Sequence, residues 1–444
     1  MNERDTEIMA GFLEEMGYEA AERPEAADLV LFNTCAIRET AEQHVFGEIG
    51  RLKAVKAERP EMVIGLCGCM AQEPETVEWI RRHAPHVNLV FGTHNIHELP
   101  DILARAADTD QLVVDVWKSA GEEVVENLPS RRLDGVKAWV NIIYGCDKYC
   151  TYCIVPYTRG RERSRRPEDI LREIRALALQ GYKEVTLLGQ NVNAYGRDLG
   201  TGYDLADLLA DVQKIDGIRW VRYLTSHPWQ FTQKLIDAVA ANDKVCEHFH
   251  LPVQSGNNRI LRKMNRHYTR EDYLDLVRRI REAVPEASIT TDIIVGFPGE
   301  TEEEFQDTLR LVEEVGFDNA FTFIYSPRPG TPAAVWNRRD PTSMEEKKER
   351  LLRLNELQYA LQRKRNERLV GRRMEVLVEG PSKKNPARLS ARTRTNRIVL
   401  LPHEEGLAGR FCEVEITRAH TWYLEGRRVG EPLPERRVPL AVHS

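Results

Sequence analysis

Apolar runs alternate with amphipathic segments through the first quarter of the chain. Four short apolar runs are typical of buried strands, at residues 28–33, 62–66, 87–91 and 112–116. Helical spacing separates them, at residues 39–56, 73–82 and beyond Asn95. Strands that alternate with helices predict a parallel sheet with helices on its faces. Residues 5–16 already have a helical pattern, so we interpret this start as a β/α domain whose first strand is missing.

A second series of strand and helix patterns follows a charged, aperiodic segment. Six apolar runs predict strands, at residues 139–144, 184–188, 219–224, 248–253, 289–295 and 320–325. Five helical patterns lie between them, at residues 167–180, 204–213, 231–240, 268–283 and 302–315. Six such units predict a partial (β/α)6 form of the (β/α)8 barrel, with its chemistry at the carboxyl ends of the strands.

The pattern changes again after a long charged helix at residues 343–370, which contains neither Gly nor Pro. Five short strands follow, at residues 374–378, 387–393, 397–401, 412–417 and 422–425. Short strands separated by loops predict a small β-barrel.

Together the patterns predict an α/β protein with three domains. The predicted parts are an N-terminal open parallel-sheet domain at 1–118, a linker at 119–131, a partial (β/α)6 barrel at 132–362 and a small β-barrel at 365–429.

Charge is unevenly distributed along the chain. The 63 Lys and Arg against 69 Asp and Glu give a net charge of −6, which excludes a uniformly basic nucleic-acid coat. From Gly371 onward, 14 basic and 9 acidic residues give +5, so the remainder carries −11. A basic module on an acidic body predicts contact with a polyanion. Its basic residues between 380 and 399 would suit nucleic acid or a protein-docking role: Lys383, Lys384, Arg388, Arg392, Arg394 and Arg397.

Neither a membrane nor a secretory destination is predicted. No apolar run is long enough for a transmembrane helix, and the start is charged rather than typical of a signal peptide. Scattered cysteines in a long chain favour a reducing compartment, so we expect a cytoplasmic protein.

Three cysteines form a C-x3-C-x2-C motif at Cys146, Cys150 and Cys153. Thiolates select iron–sulfur clusters, zinc or copper(I). Structural zinc needs a fourth ligand close by, yet no cysteine lies between Cys153 and Cys246 and the nearest histidine on that side is His227. A [4Fe–4S] cube held by three cysteines leaves one iron for another ligand. The spacing is the signature of radical S-adenosylmethionine (SAM) enzymes, which the chain resembles here.

Two further cysteines follow predicted strands of the N-terminal sheet. Cys35 and Cys69 lie in loops at equivalent strand ends, where the side chains of a parallel sheet converge on ligands, and we favour them as ligands. Cys67 lies within a strand, and we interpret it as an apolar filler, as we do Cys246 and Cys412.

Polar residues also follow strands of the partial barrel. They are Gln190, Asn191 and Asn193 after the second strand, Gln254 and Ser255 after the fourth, and Gly296, Pro298, Gly299 and Glu300 after the fifth. The three amides would suit an adenosyl or ribose group or, equally, a solvated turn. Beside the cysteine motif, residues 159–166 contain five arginines, a run that could meet phosphates or simply face solvent.

Six motifs together resemble the radical SAM methylthiotransferases along nearly the whole chain. They are Asn33-Thr-Cys35-Ala-Ile-Arg, Gly68-Cys69-Met-Ala, the three-cysteine motif with Thr158-Arg-Gly-Arg-Glu-Arg-Ser-Arg165, Gln190-Asn-Val-Asn-Ala-Tyr-Gly196, Gly296-Phe-Pro-Gly-Glu-Thr301 and Tyr325-Ser-Pro-Arg-Pro-Gly-Thr331. Relatives that act on threonylcarbamoyl-adenosine, or on a ribosomal protein aspartate, differ after Gln190 and after Thr34-Cys35. The C-terminal barrel resembles a TRAM domain, which implies tRNA binding.

The resemblance implies a reaction and its cofactors. One SAM gives its methyl group to sulfur at an auxiliary [4Fe–4S] cluster, and a second SAM is the source of a 5′-deoxyadenosyl radical. The implied substrate is N6-isopentenyladenosine next to the anticodon in tRNA, which receives a methylthio group at C2. Motif by motif, Cys146, Cys150 and Cys153 hold the radical SAM cluster, and Cys35 and Cys69 hold the auxiliary cluster. The expected SAM-binding residues are Gln190, Asn191, Asn193, Gln254, Ser255, Gly296, Pro298, Gly299 and Glu300.

The implied partners are tRNA and an electron donor such as flavodoxin or ferredoxin, while the sulfur donor stays undetermined.

The chain departs from the family at its start. The family's third auxiliary cysteine precedes a Gln-Met-Asn-Glu stretch, whereas this sequence begins Met1-Asn2-Glu3. We therefore expect the chain as written to hold about four irons rather than about eight, and a full-length protein that starts upstream.

Two other functions fit parts of the sequence. The chain could be a methylthiotransferase that acts on another tRNA adenosine derivative or on a protein side chain. It could also be an RNA-binding protein with a structural cluster, although the acidic body weakens that reading.

Overall fold

The computed structural model describes residues 1–36, 39–109, 111–119, 121 and 124–434, except for the side chains of residues 39–41. Two compact units divide the chain. The first contains residues 1–133, 143–165 and 328–331, and the second contains residues 134–142, 166–327 and 332–444.

The first unit begins with a helix, as the sequence predicts, and alternates strands with helices. Its elements up to the end of the sheet are α1 (Asn2–Glu15), β1 (Leu29–Thr34), α2 (Glu39–Glu58), β2 (Val63–Gly68), α3 (Pro74–His83), β3 (Leu89–Phe91), α4 (Leu99–Ala107) and β4 (Val113–Asp115). The strands form a parallel sheet in the order β1-β2-β3-β4. The predicted open parallel sheet is confirmed.

Helices cover both faces of this sheet. On one face, Ile8 and Met9 of α1 pack with Leu99 and Ile102 of α4. The opposite face buries side chains of α2 and α3, among them Ile49. Burial of apolar side chains on both faces explains why the strands are nearly continuous apolar runs rather than alternating ones.

The segment that follows the sheet packs along α1. The backbone N–H of Arg131 donates to the Glu7 carbonyl at 2.9 Å, and the buried Arg132 and Glu7 side chains form an ion pair at 2.8 Å. The last residue of the predicted linker, Arg131, is therefore bonded to α1.

The predicted strand at 139–144 is two shorter strands, β5 (Lys137–Asn141) and β6 (Ile143–Tyr144). Only β5 belongs to the partial barrel. β6 pairs antiparallel with β7 (Arg163–Ser164), and the loop between them contains the three cysteines and a short helix, α5 (Val155–Thr158). The chain thus leaves β5 at Asn141, five residues before the first cysteine of the motif, Cys146.

The second unit contains the other five barrel strands and their helices. In chain order these are α6 (Pro167–Leu179), β8 (Glu184–Leu188), α7 (Leu205–Val212), β9 (Trp220–Leu224), α8 (Gln233–Ala240), β10 (His248–His250), α9 (Asn258–Lys263), α10 (Arg270–Ala283), β11 (Ser288–Val295), α11 (Glu302–Val315), β12 (Asn319–Ile324), α12 (Pro332–Asn337) and α13 (Met344–Glu367). The strands form two parallel sheets, β5-β8-β9 and β10-β11-β12, linked by a bridge between Val221 and Val245. The predicted partial barrel is confirmed, and α9 and α12 are additions to it. No helix in the described ranges is both long and apolar enough to cross a membrane.

The C-terminal strands close into the predicted small barrel. They are β13 (Arg373–Pro381), β14 (Arg388–Thr393), β15 (Ile398–Pro402), β16 (Phe411–Ala419) and β17 (Leu424–Val429), in the closed order β13-β14-β15-β17-β16. Apolar side chains such as Val376, Val399 and Ile416 fill the interior.

This small barrel packs against the amino ends of the partial barrel's strands. Trp220, the first residue of β9, meets Phe411 edge-on with 4.9 Å between ring centroids. Arg222 donates to the carbonyls of Thr393 and Arg394, each at 2.9 Å. Arg394 in turn binds Glu247, the residue before β10. The carboxyl ends of the same strands, where the sequence predicts chemistry, lie at the opposite edge.

Candidate functional site

The three cysteines lie in a loop closed by the β6–β7 hairpin. Gly145 has a φ of +76°, and a Cβ at this position would lie 1.9 Å from the carbonyl oxygen of Arg161. Only glycine allows the two arms of the loop to come so close. The N–H of Cys146 donates to the carbonyl of Gly160 at 3.1 Å, and that of Cys153 to the carbonyl of Cys150 at 2.9 Å. The loop therefore folds back on itself between the first and last cysteines.

The loop buries Cys150 and leaves Cys146 and Cys153 half-buried. Cys150 is buried, and burial raises the pKa of the Cys146 thiol to about 12. A thiolate in such a place needs a positive charge, and a metal ion supplies one and deprotonates its thiol ligands outright. Lys148 and Glu162 form a buried ion pair at 3.3 Å within the loop, so these two charges neutralise each other.

The donor set suits an iron–sulfur cluster better than a single metal ion. Among the described residues, no three His, Cys, Asp or Glu side chains converge closely enough to bind one ion. A [4Fe–4S] cube places each thiolate on a different iron, so its ligands need not converge on one point. Three cysteine side chains in one loop would suit three irons of such a cube, whereas a closed zinc site has four ligands.

Cys35 and Cys69 follow adjacent parallel strands in matching register. Thr34 at the end of β1 pairs with Gly68 at the end of β2, so the next residue on each strand is a cysteine. Gly68 has a φ of +88°, and a Cβ there would lie 2.4 Å from Oδ1 of Asn33. The turn at Gly68 directs the chain away from the strand, and Cys69 packs with Ala36 and Ile154. The two strand-end cysteines are thus brought together from positions far apart in sequence.

Cys67 faces the other side of the sheet. Its sulfur lies 3.7 Å from Sδ of Met9 and 3.5 Å from the carbonyl oxygen of Phe32, in the core under α1. Complete burial raises the pKa of this thiol, and Asp5 adds to the rise. These surroundings agree with the interpretation of Cys67 as an apolar filler.

Arg159 is a residue of this region that the sequence analysis did not single out from the arginine run. Its side chain is only 4% exposed, and its Nε donates to Sγ of Cys69 at 3.1 Å. Its Nη2 donates to Oδ2 of Asp5 at 2.6 Å and to Oδ1 of Asn2 at 2.8 Å. Asp5 and Cys69 keep the pKa of this guanidinium raised against the opposing effect of burial. A hydrogen bond to a cluster sulfur is one way in which proteins set the reduction potential of the cluster.

Besides Arg159, two more of the five arginines form contacts within the first unit. The buried Arg165 pairs with both carboxylate oxygens of Glu126, at 2.6 and 2.7 Å. Arg163 donates to the carbonyl of Gly121 and lies over the ring of Tyr144. Arg161 and Arg166 are exposed. Of the five arginines that could meet phosphates, these two remain suited to it.

The amides after β8 hold the end of the neighbouring strand. Nδ2 of Asn193 donates to the His227 carbonyl at 2.9 Å, and the His227 N–H donates to Oδ1 of both Asn191 and Asn193. Asn191 and Asn193 are buried, and Gln190 is half-buried. The arrangement fixes the loop at the carboxyl ends of β8 and β9.

The residues after β10 also have internal contacts. Gln254 has a φ of +73°, and its backbone bridges to β11, while its buried Oε1 has no hydrogen-bond partner among the residues that the structure describes. Ser255 is fully buried beside Thr308, with 3.4 Å between the hydroxyl oxygens. Of Gln254 and Ser255, it is therefore Gln254 whose side-chain oxygen Oε1 remains to accept a hydrogen bond from a ligand.

The turn after β11 is built around Glu300. The Gly296 N–H donates to Oε2 of Glu300 at 2.7 Å, and Arg350 of α13 lies 3.4 Å from the same oxygen. Burial raises the pKa of Glu300 to about 7, against the opposing effects of the Gly296 N–H and Arg350. Residues beyond the turn hold Pro298 and Gly299 in place. Lys263 donates to the Pro298 carbonyl, and the Gly299 N–H donates to Asp340.

Three of the predicted nucleic-acid contacts of the small barrel are instead internal ion pairs. Arg392 binds Glu379, Arg394 binds Glu247, and Arg397 binds Asp318. The structure therefore corrects the expectation for these three arginines, whose side chains are bound by carboxylates of the same unit. Lys383 and Lys384 are exposed in the β13–β14 loop and retain the predicted role.

Three family models match the chain. The Radical SAM superfamily model matches residues 140–312, the model described as Uncharacterized protein family UPF0004 matches residues 1–92, and the TRAM domain model matches residues 367–429.

Curated relatives match along almost the whole chain. The chain is 55% identical over 434 residues to a tRNA-2-methylthio-N(6)-dimethylallyladenosine synthase of Geobacillus kaustophilus, which covers 98% of this chain and 81% of the relative. It is 56% identical over 434 residues to the protein of that name in Bacillus mycoides, which covers 98% of this chain and 84% of the relative.

Solved structures share the fold at low identity. The radical SAM methyltransferase TsrM of Kitasatospora setae, bound to tryptophan and a SAM analogue, aligns with a TM-score of 0.51 at 16% identity. The alignment covers 75% of this chain and 72% of that protein. At this identity the likeness concerns the fold alone.

Proposed function

The chain belongs to the family of tRNA-2-methylthio-N(6)-dimethylallyladenosine synthases, and on that premise we propose that it adds a methylthio group to C2 of N6-dimethylallyladenosine in tRNA. Identity of 55–56% to these enzymes over 98% of the chain carries the proposal. The matches to the Radical SAM and TRAM models support the two chemical requirements of the reaction, a radical source and an RNA-binding module.

Radical SAM enzymes use a [4Fe–4S] cluster and SAM, and we assign the cluster to Cys146, Cys150 and Cys153. Bound there, the cluster supplies the electron that cleaves SAM and so generates the radical that activates C2. The hairpin that closes the loop holds the three thiols in one segment, with Cys150 buried.

We assign Cys35 and Cys69, at the ends of β1 and β2, as two of the three cysteine ligands of a second, auxiliary cluster, whose third cysteine is not among the residues of this sequence. The matched register presents both thiols at one edge of the sheet, and Arg159 donates a hydrogen bond to the second of them. In this proposal the guanidinium balances the negative charge of the thiolate, and Asp5 keeps the guanidinium in place.

The residues at the carboxyl ends of the barrel strands are proposed to bind SAM. Gln190 and Gln254 would offer amide groups, and Ser255 would hold the turn that follows. Asn191 and Asn193 hold this loop in place by accepting hydrogen bonds from the backbone N–H of His227. Glu300 fixes the Gly296–Gly299 turn by accepting the Gly296 N–H.

We propose tRNA as the macromolecular partner, with phosphate contacts at Lys383 and Lys384 of the small barrel. Reductive cleavage of SAM requires an electron donor, for which a flavodoxin or a ferredoxin would serve. These partners place the proposed reaction in the cytoplasm.

The proposal is tested in a bacterial strain that lacks its own enzyme of this family. Bulk tRNA from the strain, digested to nucleosides, should regain the 2-methylthio derivative of N6-dimethylallyladenosine when this protein is expressed. Cys150→Ala should restore none, whereas Cys412→Ala, in the small-barrel core, should restore it fully. A different modified nucleoside, or no change in tRNA, would contradict the proposed substrate.

A further inference from the structure

Two phenylalanines of the partial barrel are unusually exposed. All twelve phenylalanines lie in the described ranges, and only Phe321 and Phe323 are highly exposed, at 49% and 40%. Both belong to β12 and are two residues apart, so their side chains lie on the same face of the strand.

The contacts of β12 identify this face as the interior of the partial barrel. Between the two phenylalanines, Thr322 points the other way and bonds to Asn355 of α13, with 2.6 Å between the oxygens. The helix therefore covers the Thr322 face, and the phenylalanines lie on the face that the helix leaves open. In the neighbouring strand β11, Asp292 pairs in register with Phe321, and Ile294 with Phe323.

The polar side chains next to these rings bond to one another. His250 of β10 bonds through Nδ1 to the hydroxyl of Thr290 at 2.9 Å, and its Nε2 lies 3.5 Å from Oδ1 of Asp292. The ring of His250 meets Phe321 edge-on, with 6.1 Å between centroids and 76° between planes. The histidine thus orients Phe321 without covering it.

Exposed aromatic surface inside a barrel is costly unless a ligand covers it. Apolar surface exposed to water lowers stability, and contiguous exposed apolar patches mark interaction surfaces or ligand-binding grooves. Partial barrels bind their ligands within the sheet and at its carboxyl edge, and Phe323 lies one residue before the last residue of β12.

We propose that Phe321 and Phe323 form an apolar shelf that receives the dimethylallyl group of the substrate adenosine, and so give the enzyme its preference for prenylated tRNA. This inference rests on the proposed function, which supplies a substrate whose base carries a five-carbon apolar group. A branched hydrocarbon group packs on phenyl rings without needing hydrogen bonds, which suits a face whose polar groups already bond to each other.

The test compares the binding of two anticodon stem–loop RNAs that differ only in the N6-dimethylallyl group. The full reconstituted chain should bind the prenylated RNA more tightly than the unmodified RNA. Phe321→Ala and Phe323→Ala should each lower this preference by about tenfold, the size of effect that loss of apolar pocket contacts produces. Phe321→Leu, which retains apolar volume, should keep most of it.

Leu179→Ala is the matched control, because it removes an equally apolar side chain that is 66% exposed on α6. It should keep the full preference, and thermal unfolding should show all variants folded, since exposed side chains contribute little to the core. The inference is overturned if the alanine variants keep the preference, if they weaken binding of both RNAs equally, or if the unaltered protein has no preference.

Nucleoside analysis separates this failure from failure of the proposed function. If the unaltered protein makes the methylthio nucleoside while the preference survives both substitutions, only the shelf is wrong. If it makes no methylthio nucleoside, the proposed function is wrong whatever the RNA binding shows.

Discussion

Arg159 donates a hydrogen bond from Nε to Sγ of Cys69 at 3.1 Å, so the three-cysteine loop is bonded directly to the strand-end cysteine of the first unit. The same guanidinium holds Asp5 of α1 at 2.6 Å. One buried side chain therefore joins the start of α1, the end of β2 and the loop proposed to hold the radical SAM cluster.

Replacement of Arg159 should destabilise the first unit. Arg159→Met leaves the buried Asp5 carboxylate without its ion-pair partner, a change that costs about 3–5 kcal/mol in comparable buried pairs. Urea unfolding should show the loss as a lower midpoint. Arg159→Met combined with Asp5→Asn should recover part of it, and Arg166→Met, at an exposed position, should cost little. Equal midpoints for Arg159→Met and Arg166→Met would contradict this account of the pair.

The assignment of a cluster to the three-cysteine loop predicts the iron content of a Cys150 variant. Cys150→Ala should remove about four irons per chain after anaerobic reconstitution and abolish the formation of 5′-deoxyadenosine from SAM, because a cube held by two thiolates is unstable. Cys246→Ala is the matched control, since Cys246 is equally buried but packs with Trp220 and Phe411. Substantial 5′-deoxyadenosine from the Cys150 variant would refute the assignment.

The small barrel predicts two different effects of removing positive charge. Lys383→Ala and Lys384→Ala should each weaken tRNA binding and lower the slope of log affinity against log salt by about 1, because each lysine releases counterions from phosphate. Arg394→Ala should leave that slope unchanged and lower stability instead, since Arg394 is paired with Glu247. Binding titrations at several salt concentrations measure both effects. A reduced slope in the arginine variant would overturn this division.

Glu300 predicts a pH dependence of stability. Burial raises its pKa to about 7, from about 4.5 in the unfolded chain, so the folded state binds the proton more tightly. The stability from this protonation is present below pH 4.5 and is lost as pH rises through 7, a change of roughly 2–4 kcal/mol. Glu300→Gln, which cannot ionise, should gain stability relative to the unaltered protein as pH rises across this window. Parallel stability curves for the two proteins would contradict the raised pKa.

The strands and helices were predictable because their signals are local. The apolar run at 184–188 coincides with β8, and the helical pattern at 302–315 coincides with α11, which Thr301 caps by accepting the N–H of Glu304. The convergence of Cys35 and Cys69 also followed from the sequence, because parallel strands present their ends at one edge.

The roles of individual arginines were not predictable. Arg159 and Asp5 are 154 residues apart, and Arg394 and Glu247 are 147 apart, so no local pattern distinguishes these arginines from exposed ones nearby. The sequence reveals that a segment is basic, but the carboxylate that neutralises each residue comes from another element. The exposure of Phe321 and Phe323 was also not predictable, because a buried strand and a ligand-binding strand have the same apolar composition.

The small barrel at the amino ends of the partial barrel's strands affects how the enzyme is made. Trp220, at the amino end of β9, is completely buried, and Phe411, nearly two hundred residues later, is one of the residues that cover it. When the ribosome has translated only the partial barrel, the amino ends of its strands are still exposed to water. Arg222 then still lacks its hydrogen bonds to the carbonyls of Thr393 and Arg394. Packing of the small barrel is the step that completes these contacts, so this edge of the partial barrel gains them only after β16 has been translated.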